Sequence, residues 1–96
     1  MSNVRIELSS VVARVEQQVS AALDDEIVVL NMNDSKYYGL NGIGAFIWSS
    51  IEGPDRVSAV VDAVLDNYEV SRESCEEDVL TFLRELSDAG LIRVVV

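Results

Sequence analysis

The chain has 96 residues, 49% of them hydrophobic and 25% charged, with 17 acidic residues against 7 basic ones and a formal net charge of −10. That length supports one small domain around one core. The acidic balance excludes a phosphate-binding surface built from clustered Lys and Arg, so nucleic acid is not an expected partner.

The same charge suits a basic peptide, or a basic patch on another protein, through steering and complementary potential. One cysteine, Cys75, allows no internal disulfide and is compatible with a reducing cytoplasm. The N-terminal residues lack an apolar signal core, and no apolar run approaches the length of a membrane span. A cytoplasmic protein without a membrane partner is therefore expected.

In chain order, Val4, Ile6 and Leu8 alternate like a short strand that Ser9-Ser10 breaks. Residues 1–14 read as an N-terminal arm or weak edge strand. Residues 16–23 have the Gln and Ala content of a helix, but the next segment argues otherwise. Asp24-Asp25 is a turn signal, and Glu26 to Met32 is a β-branched run of the kind found in strands buried on both faces. A partner strand before the turn makes a hairpin. Asn33-Asp34-Ser35 is a second turn cluster, and Lys36 to Leu40 follows as a third strand. The expectation for 16–41 is a three-stranded antiparallel meander.

The stretch from Lys36 to Trp48 switches from strand to helix chemistry at Asn41. Tyr38 and Leu40 point to one face, Tyr37 and Gly39 to the other. Asn41 is positioned to cap the next helix, in which Ile43, Phe46, Ile47 and Ile51 recur at helical spacing. That helix, 42–51, ends at Gly53-Pro54. The second, 56–67, takes Asp55 as its expected N-cap. Its apolar series is Val57, Val60, Val61, Val64, Leu65 and Tyr68. Valines form helices poorly, so burial must hold this one.

The third helix, 72–89, has Ser71 as expected N-cap and acids in its first turns, where the macrodipole favours them. Gly90 stops it. Residues 91–96 read as a final strand or a core anchor. The expected class is α+β, a three-stranded antiparallel sheet followed by three helices, resembling a winged helix-turn-helix.

Little here can carry catalysis. The chain contains no histidine, the usual general base. Cys75 has nothing to activate it and reads as a small apolar group. Asp24-Asp25-Glu26 lacks the spacing of a calcium loop, and Glu76-Glu77-Asp78 reads as a solvated face. Gly39, Gly42 and Gly44 lack the residues of a phosphate loop. No enzyme, metal or cofactor is expected.

Binding is better supported. With Val79 at the centre of the buried face of the third helix, Cys75, Phe82, Leu83 and Leu86 fall within about 40–60° of it. Leu80 sits about 100° round, beside Glu76 and Ser87. An apolar spot with an acidic rim can form one wall of a groove. Tyr37, beside the bare backbone at Gly39, is its counterpart on the strand. An open strand edge next to a helix is a natural place to capture a peptide.

Tyr38-Gly-Leu-Asn41 with Gly44-Ala45 and Ile47-Trp48, the helix from Val57 to Tyr68, then Glu77-Asp78-Val79, Phe82-Leu83, Leu86 and Gly90-Leu91-Ile92 together resemble the PqqD-like family. These are the RiPP recognition elements, and the likeness covers roughly residues 11–93. The resemblance implies a non-catalytic domain that binds the N-terminal leader of a ribosomally made precursor peptide and presents it to a modifying enzyme. That enzyme would be a radical SAM enzyme or a lasso-type peptidase or cyclase, in a pathway to pyrroloquinoline quinone, a lasso peptide or another modified peptide. It further implies that the leader adds as an antiparallel strand along Lys36, Tyr37, Tyr38, Gly39 and Leu40. On the third helix it implies contacts from Glu76, Val79, Leu80, Leu83 and Ser87.

Two other readings stand beside it. A winged helix can bind DNA through its third helix, although six acids there against Arg72 and Arg84 repel phosphate. A scaffold subunit that contacts only proteins is the other, and exposed strand edges also permit dimerisation.

Overall fold

The computed structural model describes residues 5–95. Its elements run β1 (Val11–Arg14), β2 (Gln18–Leu23), β3 (Glu26–Asn31), β4 (Lys36–Asn41), α1 (Gly42–Ser50), β5 (Asp55–Arg56), α2 (Val57–Asn67), α3 (Arg72–Asp88) and β6 (Ile92–Val94). The expected meander is present: β2, β3 and β4 pair antiparallel in that order. Asp24-Asp25 closes the first hairpin, with Asp24 at φ 56, a left-handed geometry that Asp tolerates better than most residues. In the second turn Asn31 Oδ1 accepts from the Asn33 amide at 2.9 Å and Asp34 Oδ1 from the Lys36 amide at 3.0 Å. These local bonds are what make Asn and Asp turn residues.

The strand from Glu26 is not buried on both faces. Val29 and Asn31 are buried, Val28 and Leu30 only half-buried, and Met32 is exposed. The helices cover one face of the meander, and its outer face keeps Val19, Leu23 and Tyr37 in solvent. Alternation therefore survives even in this β-branched run.

A second sheet, with strand order β5-β1-β6, was not foreseen. The N-terminal strand lies at Val11–Arg14 rather than over the earlier alternating residues. Val4 falls outside the described residues. Ile6 is nevertheless buried and Leu8 packs on the core, ahead of a turn in which Ser10 Oγ accepts from the Glu7 amide at 2.9 Å. After the third helix, Leu91 and Ile92 are buried and β6 pairs with β1.

That sheet explains why Asp55 is not the N-cap of α2. Pairing with Val12 draws Asp55 into β5, and Arg56 takes the cap position without a side-chain bond. The first amides of α2 are satisfied by main chain instead: Val57 N–H donates to Ser10 O at 2.9 Å and Ser58 N–H to Leu8 O at 3.0 Å. Orphan amides at a helix start accept any well-placed acceptor. Asn41 likewise makes no side-chain cap bond. The switch from strand to helix is made by Gly42 at φ +57, where a side chain would be strained.

Both ends of α3 follow the sequence closely. Ser71 Oγ accepts from the Ser74 amide at 3.2 Å. Gly90 at φ +76 lets the Leu91 amide reach Leu86 O at 2.9 Å, a closing pattern accompanied by burial of the apolar residue that follows. The core joins both sheets and all three helices, and includes Val12, Val29, Ile47, Trp48, Val60, Val79, Leu83 and Leu91.

Trp48 is the largest fully buried side chain. Arg14 lies over its ring at 4.5 Å and donates from Nη2 to Trp48 O at 2.6 Å. Burial pushes the Arg14 guanidinium below its ordinary pKa, partly offset by Glu52. A partly buried stack of this kind contributes about 1 kcal/mol.

Cys75 is buried, and its thiol faces Val61 O at 3.8 Å. Burial raises its pKa, outweighing the nearby Arg72, so the reactive thiolate is suppressed. Labelling of Cys75 by a thiol reagent in native buffer is expected to be about tenfold slower, or more, than in denaturant, because the thiol is almost closed off from solvent and its thiolate is disfavoured. Equal rates in the two conditions would contradict this packing.

Candidate functional site

Among the described residues β4 pairs only with β3, so its other edge is open. The edge of β2 is also open, but the two differ in what lies beside them. Next to β4 is a groove of about 470 Å³, bounded by Tyr37, Tyr38, Gly39 and Leu40 of the strand and by Phe82, Glu85, Leu86 and Ala89 of α3. Tyr38 and Phe82 are half-buried and Leu40 and Leu86 buried, giving an apolar floor, while Glu85 stands exposed on the helix rim. Gly39 leaves the middle of the strand bare, and the Glu26 carboxylate lies over it on the outer face.

Three features hold the strand and helix at this separation. The Asn31 side chain, at the end of β3, donates to Ala89 O at 2.8 Å. Its approach needs Gly90, where an added Cβ would come within 3.1 Å of Asn31 Nδ2. At the other end, the Phe82 ring rests against Gly44 of α1, where a Cβ would meet it at 3.1 Å. Both contacts use the absence of a side chain to bring neighbours close.

The structure brings together only part of the expected set. Tyr37, Tyr38, Gly39 and Leu40 line the groove, and Lys36 is exposed at the start of the same strand. Val79 and Leu83 are core residues, 1% and 0% exposed, beneath the helix rather than on its groove side. Leu80 does not face β4. It is half-buried on the opposite flank of α3, with Glu76 and Ser87, where Arg84 Nη2 donates to Ile6 O at 3.0 Å.

Phe82 takes the position expected of Leu80. A stripe centred on Val79 has two margins, and periodicity does not say which one borders the strand. The groove side of α3 carries Phe82, Glu85, Leu86 and Ala89. A signal for them existed in Gly44, whose missing side chain makes room for one large ring.

The electrostatics are one-sided. Arg72 pairs with Asp62 at 3.2 Å and Glu76 at 3.7 Å, and Arg84 is held by Ile6 O. Glu73, Glu76, Glu77, Asp78, Glu85 and Asp88 outnumber these two cations on α3, so acids dominate its field.

In sequence, the chain matches the family described as coenzyme PQQ synthesis protein D (PqqD) over residues 26–92. That span runs from the start of β3 to the start of β6 and contains the whole groove. The chain belongs to the PqqD family. A solved structure of TbiB1 in complex with the TbiA(beta) leader peptide is similar to it, with 36% identity and a TM-score of 0.82 over 88% of this chain and 98% of that one. A lasso peptide synthetase B1 complexed with the leader peptide shares the fold, at 21% identity and a TM-score of 0.71 over 85% of this chain and 96% of that one. None of the curated proteins matches the chain.

Asn31 can be tested alone. Asn31→Leu keeps the branched skeleton but removes both bonds of the amide, leaving Ala89 O and the Asn33 N–H without their partner, and should cost about 1–3 kcal/mol. A urea midpoint lowered accordingly, with an unchanged slope, is the expected result. An unchanged midpoint would show that the contact does not hold the groove.

Proposed function

We propose that this chain is a non-catalytic recognition module. It captures the leader of a ribosomally made precursor peptide as an added antiparallel strand on β4 and presents it to a modifying enzyme. The observation that carries this reading is the open edge of β4 lying directly against an apolar groove on α3. Membership of the PqqD family supports it. So does the leader-peptide complex of the 36%-identical TbiB1.

The chemistry is strand addition. Main-chain hydrogen bonds to β4 set register, and the floor made by Tyr38, Leu40, Phe82 and Leu86 reads alternate side chains of the guest. Lys36 and Tyr37 lie at one end of the run and Gly39 allows close approach at its centre. Glu76, Leu80 and Ser87 contribute from the far flank of α3 only by holding the helix in place, and Val79 and Leu83 by filling the core beneath it. A leader that is disordered beforehand loses entropy on binding, which keeps its capture reversible.

The enzyme that receives the leader belongs to the radical SAM or lasso-type peptidase or cyclase classes, and the reading places the pair in the cytoplasm. A second copy is a poorer occupant of β4, because each carries a net charge of −10. DNA is poorer still, since the acids of α3 outnumber Arg72 and Arg84 and repel phosphate.

Amide hydrogen exchange with the TbiA(beta) leader tests the proposal. Binding should slow exchange in β4 and leave β2 unchanged. Phe82→Glu should weaken binding about thirtyfold, the loss of about 2 kcal/mol typical of a central anchor. Glu85→Lys, at an exposed position, provides a variant that keeps the fold. Protection confined to β2, or full affinity in both variants, would reject the groove as the site.

A further inference from the structure

The apolar surface does not stop at Phe82. On the far side of the same ring is a second hollow of about 200 Å³ between α1 and α3, whose lining includes Ile43, Gly44, Val70, Cys75 and Asp78. Ile43 is 38% and Val70 41% exposed, so two large aliphatic lips stand in water around an apolar floor. An apolar cavity of about 150 Å³ accepts a benzene-sized group, so this one has room for a single aliphatic or aromatic side chain. Asp78 is the one charged residue in its lining, and it is exposed.

We propose, building on the strand-addition reading above, that this hollow is a second compartment of the same site. It takes an apolar anchor of the bound peptide, and Asp78 pairs with a Lys or Arg next to that anchor. Two observations select the peptide as occupant. Phe82 is a wall of both spaces, so a chain leaving the groove passes over one ring into the hollow. Each compartment also carries one carboxylate on α3, Glu85 in the groove and Asp78 in the hollow, in a chain of net charge −10. That field attracts a basic segment and repels an acidic one.

The helix sets the spacing. Asp78 and Glu85 are two turns apart, about 10.5 Å along the axis, which an extended peptide crosses in about three residues. The anchor and its cation therefore lie about three residues from the guest residue that faces Glu85. Phe82 acts as the divider that fixes this interval, and Gly44 is what lets the ring sit there.

A displayed library of random 20-residue peptides, selected in parallel on wild type, Asp78→Lys and Val70→Asp, tests the idea. Both substituted positions are exposed, so the variants should melt like wild type. Wild-type selection should enrich a strand segment followed or preceded, about three residues away, by an apolar residue beside Lys or Arg. Asp78→Lys should exchange that cation for Asp or Glu, and Val70→Asp should weaken wild-type-selected peptides about tenfold while protection of β4 persists.

The same motif recovered on all three proteins would overturn the second compartment and leave strand addition standing. Selection of peptides that protect β4 but carry no anchor would do the same. Failure to recover any peptide that protects β4 would remove both readings.

Discussion

The separation between β4 and α3 is the constraint on which the site depends, and it is held chiefly by one side chain. Asn31 ends β3, bonds within its own turn through Oδ1, and reaches Ala89 O through Nδ2. One amide thus ties the meander's second turn to the last carbonyls of the helix. Those carbonyls lack intrahelical partners, so the bond meets two requirements at once. It satisfies a helix end, and it fixes how far the strand edge stands from Phe82 and Leu86. At the opposite end Gly42 turns the chain from strand to helix and Gly44 admits the ring. The groove is therefore framed by positions defined by what they lack, with a polar clasp at one corner.

The meander and the three helices were legible because turn residues and periodicity agree there. Asp24-Asp25, Asn33 to Ser35, Ser71 and Gly90 each do locally what their chemistry favours. The small second sheet was not legible. Its strands are two to four residues long, and their pairing joins β1 to β6 near the other end of the chain and to β5 in its middle, contacts that no local pattern specifies. Asn41 holds the N-cap position of α1 without a side-chain bond, and Arg56 rather than Asp55 holds that of α2, for a related reason. A side-chain cap is a local device, while α2 is capped by carbonyls from residues 8 and 10, far away in sequence. Half of the site was legible too. The strand side follows from alternation within Lys36 to Leu40. The helix side needed the rotation of α3 about its axis, which is set by tertiary packing and cannot be read from a stripe with two margins.

The arrangement suits reversible capture. The host strand is already paired on one side and the helix already packed, so little of the host must be ordered when a guest arrives. The conformational cost falls on the guest. Binding strength is then governed by how many apolar side chains the groove can cover, and selectivity by where the carboxylates of α3 stand.

The open edges and the bare outer face of the meander carry a liability of their own. Val19, Leu23, Met32 and Tyr37 are more than half exposed, and an unprotected strand next to such a surface is a template for association with its own kind. The surplus of acids opposes that association. Copies bearing a net charge of −10 repel one another over about a Debye length, roughly 8 Å at physiological ionic strength. A basic guest experiences the opposite sign. One charge imbalance thus serves as colloidal protection against like molecules and as an invitation to unlike ones, and added salt weakens both together.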